Sequence, residues 1–342
     1  MRGGILIGSI WSIVLVCGLT GPLAAEDLKR ETVEFRSNDE ADGVPERFRL
    51  APHSFEVTRE PWLVLEQSGI TVTKLRFPSA VKSPHPLNNT VHAEYFQPIR
   101  AKSSHPAVIV LDILDGKQIV SRGEAIWLAQ HDIPALVVYM AYYGPRRDPQ
   151  LPVRMLMPDI EHSVSAMRQT VLDCRRAAAW LAQQPGVDPE RLGVVGTSLG
   201  SFVAGLTAAA EPRIKTACLL LSGGGLVDAF YDHPKAAPFR TAFQLIGGSK
   251  QKLAKLIDPL DPLTYAKELS HKKLLFIAAR RDDVVPPSAA ERLWNATGKP
   301  PIVWVDSTHV GAAVFLFQAM NRVVEHIENP GSTHSSPGRN SP

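Results

Sequence analysis

The sequence predicts an α/β fold with a mostly parallel central sheet and helices on both of its faces. Two observations carry that reading. Short, continuous apolar runs at 107–111, 135–140, 192–195, 216–221, 274–278 and 302–305 have the length of strands. They lack the polar alternation of a half-exposed sheet, so both of their faces are expected to be covered. Between them lie segments of helical periodicity at 121–130, 160–183, 202–210, 287–296 and 310–327. Strands alternating with amphipathic helices are the pattern of parallel βαβ units.

The start of the chain has a different character. Arg2 precedes an apolar run at 5–19, small residues follow at Ala24 and Ala25, and a charged stretch opens at Glu26. This is the layout of an export signal cleaved after Ala25, so residues 1–25 are expected to be removed and the protein to be exported, periplasmic or secreted. The run is interrupted by Gly8 and Ser9 and falls short of the roughly 20 apolar residues of a spanning helix. No stable membrane span is expected after cleavage. Residues 26–61 are polar and charged with few apolar repeats, and read as an irregular surface extension to a main domain at 62–328. Alternation at 70–77 and 90–96 predicts two antiparallel strands that open the sheet. From 223 to 271 the rhythm breaks into short helical pieces at 226–230, 241–246 and 253–257, a candidate small cap insertion. The Ser/Pro/Gly/Asn-rich segment at 329–342 has no apolar periodicity and reads as a disordered tail.

With 342 residues and 44% hydrophobic content the chain can bury a large core, and a formal charge of +3 is too mild to imply nucleic acid. Outside the signal only Cys174 and Cys218 remain, one in a helical pattern and one in a strand, which reads as two buried thiols rather than a disulfide framework. There is no Cys-x-x-Cys or His-Glu-x-x-His spacing and the histidines are scattered, so neither metal nor dissociable cofactor is expected.

The chemistry concentrates at Gly196-Thr197-Ser198-Leu199-Gly200. A serine hydroxyl is a poor nucleophile near neutrality and must be presented in a tight turn where a base can take its proton. Glycines two residues either side of Ser198 remove the side chains that would collide in that turn. Taken alone, the motif is also compatible with an ordinary Gly/Ser turn; its position between a buried strand and a well-packed helix favours a nucleophile elbow. In an open parallel sheet, ligands collect beyond the carboxyl ends of the strands. Two further groups lie in such loops: Asp282 and Asp283 after 274–278, and His309 after 302–305. Singly, each is as well explained as a helix cap or a surface residue. Together they follow three separate strands in the order Ser, Asp, His.

With Val187-Asp188-Pro189-Glu190-Arg191 leading into the elbow, the acid turn Arg281-Asp282-Asp283-Val284-Val285-Pro286, and Thr308-His309-Val310-Gly311, the stretch from about Thr71 to Glu328 resembles the α/β-hydrolase superfamily. Within it the likeness is to the dienelactone-hydrolase-like and esterase branch. The resemblance implies Ser198 as nucleophile, His309 as base and then acid, and Asp282 as the carboxylate that orients the imidazole, Asp283 taking that role if the turn is shifted by one residue. It places one oxyanion donor at the Leu199 N–H and a second at Leu114, with Ile113 as the alternative. Relatives commonly carry His-Gly where this chain has Asp112-Ile113. A carboxylate there opposes a developing anion unless it points away or pairs with a cation. Tyr143 and Arg146 lie on a loop at the same rim and are candidates to bind an acidic group of a substrate, structural pairing of the arginine with Asp112 or Asp115 being the more ordinary reading. The expectation is an exported serine hydrolase that cleaves a small-molecule carboxylic ester through a Ser-His-Asp triad and an acyl-enzyme. The alternatives are a serine peptidase of the same superfamily and a catalytically silent binding protein.

Overall fold

A computed structural model describes residues 28–100, 103–231, 237–245 and 247–329. The signal expected at 1–25 and the tail expected beyond Asn329 lie outside the described residues. Ten strands form one open sheet: β1 (Lys29–Phe35), β2 (His53–Leu65), β3 (Ile70–Pro78), β4 (Thr90–Pro98), β5 (His105–Leu111), β6 (Ala135–Val138), β7 (Val187–Thr197), β8 (Ile214–Leu220), β9 (Lys273–Ala279) and β10 (Ile302–Val305), in the order β1-β2-β3-β4-β6-β5-β7-β8-β9-β10. From β1 through β4 to β6 the pairings are antiparallel; from β6 to β10 they are all parallel.

Side chains alternate across a strand, so each apolar run feeds two cores. In β5, Ala107, Ile109 and Leu111 join one cluster while Val108 and Val110 join the other. The first cluster is covered by α2 (Ile160–Leu181), α3 (Leu199–Ala210) and α8 (Pro287–Ala296), the second by α1 (Ile119–Gln130) and α9 (Leu316–Glu328). This double cover is why the parallel strands read as unbroken apolar runs.

The described part of 26–61, residues 28–61, is not an irregular surface extension. They supply β1 and most of β2, with Phe35, Phe48 and Val57 fully buried. Their burial alternates with exposed charged residues over very few positions, which leaves too short a period for the sequence to announce. A buried cluster secures this region to the body: on α2, Arg175 binds the Asp39 carboxylate at 2.6 Å and that of Glu211 at 3.1 Å. The 223–271 insertion forms α4 (Leu226–Phe230), α5 (Ala237–Leu245), α6 (Lys250–Ile257) and α7 (Ala266–Ser270). Val227, Tyr231 and Leu253 pack together with Ile160, at the start of α2. Cys174 and Cys218 are buried free thiols, and burial pushes each up to about 12. Among the described residues no helix is long and apolar enough to cross a membrane.

Candidate active site

The loops after β5, β7, β9 and β10 meet at one edge of the sheet because the strands are in register there: Leu111 lies opposite Gly196, Thr197 opposite Leu220, and Ala279 opposite Val305. At the end of β7 the chain reverses into α3 with Ser198 at φ 53° and ψ −120°, a backbone region that L-residues rarely occupy. Both flanking glycines are sterically required. A Cβ at Gly196 would run into the Gly200 carbonyl, and one at Gly200 into the carbonyl oxygens of Leu111 and Asp112. The Ser198 N–H donates to the Leu220 carbonyl at 2.9 Å, tying the turn to β8.

Ser198 Oγ stands 2.9 Å from His309 Nε2, and His309 Nδ1 stands 2.7 Å from Asp282 Oδ2. The carboxylate beyond Nδ1 calls for the proton on that nitrogen and leaves the Nε2 lone pair facing the serine hydroxyl. Asp282 is itself fixed: its Oδ1 accepts the N–H groups of Val284 at 2.8 Å and Val285 at 2.7 Å. Its side chain is 2% exposed and that of His309 10%. Asp283, the neighbour, is exposed. The structure therefore brings Ser198, Asp282 and His309 together as the sequence reading expected.

Leu199 is the first residue of α3, so its N–H belongs to the unpaired first turn of that helix. Leu114 lies on the β5–α1 loop with an exposed side chain, and its carbonyl accepts the Tyr143 hydroxyl at 3.0 Å. Asp112 is fully buried and turned to the start of α1, where its carboxylate accepts the N–H groups of Gln118 at 2.7 Å and Ser121 at 3.2 Å. The Ile113 N–H also lies against this carboxylate. Burial raises the Asp112 carboxyl above the ordinary carboxylate range despite these bonds.

Arg146 takes the structural role that was the more ordinary reading, with a different carboxylate as its partner, and the substrate-binding candidacy falls. It is fully buried, donates to Asp173 at 2.7 Å and to the Asn88 and Tyr139 carbonyls at 2.9 and 3.0 Å, and meets neither Asp112 nor Asp115. A guanidinium enclosed with its own carboxylate is withdrawn from any substrate. Tyr143 is also buried, packs where a Cβ on Gly116 would sit, and supports the Leu114 loop through its hydroxyl.

The sequence reading missed Glu124. It lies fully buried on α1, where the Thr197 hydroxyl, one residue before Ser198, donates to it at 2.6 Å. Burial pushes its carboxyl up to about 8. A signal was available, since Glu124 lies one turn before Leu128 on the apolar face of the helix.

Comparison with known proteins agrees with this architecture. Residues 165–301 match the prolyl oligopeptidase family, and residues 79–232 match the family described as alpha/beta hydrolase domain containing 18. An acetyl xylan esterase from Paenibacillus sp. R4 superposes with a TM-score of 0.63 at 18% identity, over 79% of this chain and 88% of that one. A protein described as a dienelactone hydrolase from Klebsiella pneumoniae superposes with a TM-score of 0.54 at 19% identity, over 76% of this chain and 99% of that one. The fold is that of the α/β-hydrolases, an open, mostly parallel sheet with helices on both faces. The uncharacterized protein Rv2627c of Mycobacterium tuberculosis is 30% identical over 176 residues, 49% of this chain, and the match spans 40% of that relative's length.

Proposed function

We propose that the protein is an exported serine hydrolase that cleaves carboxylic esters of small molecules through an acyl-enzyme on Ser198. The observation that carries this reading is the continuous relay from Ser198 Oγ through both nitrogens of His309 to Asp282, at 2.9 and 2.7 Å, on a strained elbow. Ser198 Oγ attacks the ester carbonyl carbon as its proton passes to His309 Nε2, and Asp282 stabilises the imidazolium that results. The N–H groups of Leu199 and Leu114 receive the oxyanion of the tetrahedral intermediate. Collapse breaks the bond to the alcohol oxygen, which takes the proton from Nε2 and leaves as the alcohol. Water then attacks the acyl group, delivers its proton to His309, and the acid departs as the proton returns to Ser198. Esters are favoured as substrates because the neighbours of like fold carry esterase names. The prolyl oligopeptidase match over 165–301 supports a second reading, a peptidase using the same relay. The silent-binder reading loses its motive, since the Asp112 carboxylate accepts from backbone N–H groups at the start of α1. Export rests on the segment 1–25, with its basic start, apolar run and small residues before a charged stretch.

Initial rates on p-nitrophenyl acetate and on an aminoacyl p-nitroanilide test these statements. Ser198→Ala is expected to lose at least about three orders of magnitude in kcat on the ester, because removing the nucleophile disables the whole relay. Retained ester turnover would sink the assignment, and anilide hydrolysis exceeding ester hydrolysis would favour the peptidase.

A further inference from the structure

Among the described residues, the buried carboxylates other than Glu124 are each met by a cation or by backbone N–H groups. Arg175 meets Asp39 and Glu211, Arg146 meets Asp173, and Arg122 meets Glu94, while Asp112, Asp261 and Asp282 accept from the main chain. Glu124 has neither kind of partner. Its Oε1 receives one neutral hydroxyl, that of Thr197 at 2.6 Å, and its buried Oε2 has no partner among the described residues. An ionised carboxylate in that setting is uncompensated, so the group is held as the neutral acid. The titratable groups coupled to it are Asp112, on the β5 loop, and Cys218, on β8. Arg122, two residues earlier on α1, is taken by Glu94 of β4 and the Tyr139 hydroxyl. Of the other elements packed on α1, β3 turns Lys74 over the Trp62 ring, and α9 pairs Arg322 with Glu325 in solvent.

Thr197 is joined directly to Ser198, whose φ of 53° persists only while its surroundings fix it. Main-chain contacts secure the far side of the turn, through the Ser198 N–H on the Leu220 carbonyl and Gly200 against the carbonyls of Leu111 and Asp112. On the near side the tether is the Thr197 side chain, and Glu124 holds it. We propose, resting on the hydrolase reading above, that Glu124 is a positioning residue for the reaction: as the neutral acid it holds the Ser198 turn through Thr197, and its ionisation suppresses turnover. Ionised, it places an uncompensated negative charge behind the turn, where it opposes the oxyanion that forms on Ser198.

The pH dependence of kcat on p-nitrophenyl acetate tests this, measured from about pH 6 to about 9.5, corrected for spontaneous hydrolysis and scaled to each protein's own maximum. Burial pushes the Glu124 carboxyl up to about 8, so native kcat is expected to fall around that pH. The fall is expected to reach at least about tenfold by about pH 9.5, with KM changed by less than about twofold and the circular dichroism of the folded protein retained. Glu124→Gln keeps an oxygen for the Thr197 hydroxyl and cannot ionise, and its kcat is expected to fall by less than about twofold over the same range. Lys272, which burial lowers to about 8, bonds the Ile214 carbonyl at the amino end of β8, the opposite edge of the sheet, and its titration is common to both proteins. A level native profile, a decline that persists in Glu124→Gln, or a decline that follows unfolding overturns the assignment. If Glu124→Gln does not fold, Thr197→Val replaces it. Loss of the hydroxyl bond, which favours the ionised form, is expected to move the decline to higher pH, and an unmoved midpoint overturns the link. A native protein that neither hydrolyses the ester at any pH nor takes a fluorophosphonate strikes the hydrolase reading itself, whereas a labelled, active protein with a level profile strikes only the role of Glu124.

Discussion

Asp282 uses its two carboxylate oxygens differently. Oδ1 is held by the Val284 and Val285 N–H groups, and Oδ2 faces His309 Nδ1. The first pair of bonds orients the carboxylate and the second orients the imidazole. Asp282→Asn leaves the turn in place but presents His309 with an amide, which permits the wrong tautomer; kcat is expected to fall by roughly four orders of magnitude. Asp283→Asn, at the exposed neighbour, is expected to change kcat by less than about threefold. Steady-state kinetics of the two variants on one ester decides between them, and the reverse ranking would move the acid by one residue. Ser198, Asp282 and His309 were legible because each follows a strand in a loop whose length and residue types constrain its use. The pairing of Arg146 was legible in kind but not in partner. Its partner Asp173 lies 27 positions away on α2, and nothing local distinguishes an arginine that will be enclosed with a carboxylate from one left in solvent.

At the scale of elements, the elbow is held from three sides. β8 binds the Ser198 N–H, the β5 loop closes over Gly200, and α1 reaches Thr197 through Glu124. Asp112 and Cys218 are the other titratable groups whose charges couple to Glu124, and neither is a cation that would favour its ionised form. The carboxyl, ordinarily near 4.5, therefore stays neutral in the folded protein up to about 8. Between those values the unfolded chain has released a proton that the folded protein retains. The stability contributed by the neutral group is full below about 4.5 and is lost as pH rises toward about 8. Chemical denaturation from pH 5 to 8 should show the native protein losing stability relative to Glu124→Gln, the rise that the buried His92 and His326 contribute below about 6.5 being common to both; a constant difference between the two would contradict the assignment. The strands and helices around this junction were readable from apolar runs and periodicity. Helix α3 starts three residues before the expected 202, because the turn runs straight from Ser198 into the helix without a linker. β1 and β2 escaped notice because two or three buried positions among charged ones do not establish a period, and the Arg175 cluster that secures them depends on residues far apart in sequence.

Over the whole molecule, the antiparallel strands β1 to β4 extend a parallel sheet whose carboxyl edge gathers all the groups proposed to act. Six buried apolar runs and the helices between them made that sheet foreseeable, and the chain order of Ser198, Asp282 and His309 made their meeting at its carboxyl edge foreseeable as well. The polar network behind the edge, Glu124 with Thr197 and Arg146 with Asp173, was not, because buried pairing is a property of the folded arrangement rather than of any local run. The central claim is that Ser198 is a nucleophile activated by His309. Labelling the native protein with a fluorophosphonate and mapping the adduct by peptide mass spectrometry tests it most directly. One phosphonyl group on the peptide containing Ser198, strongly reduced in His309→Ala, is the predicted result; a folded protein that acquires no adduct, or carries it on another residue, would contradict the account.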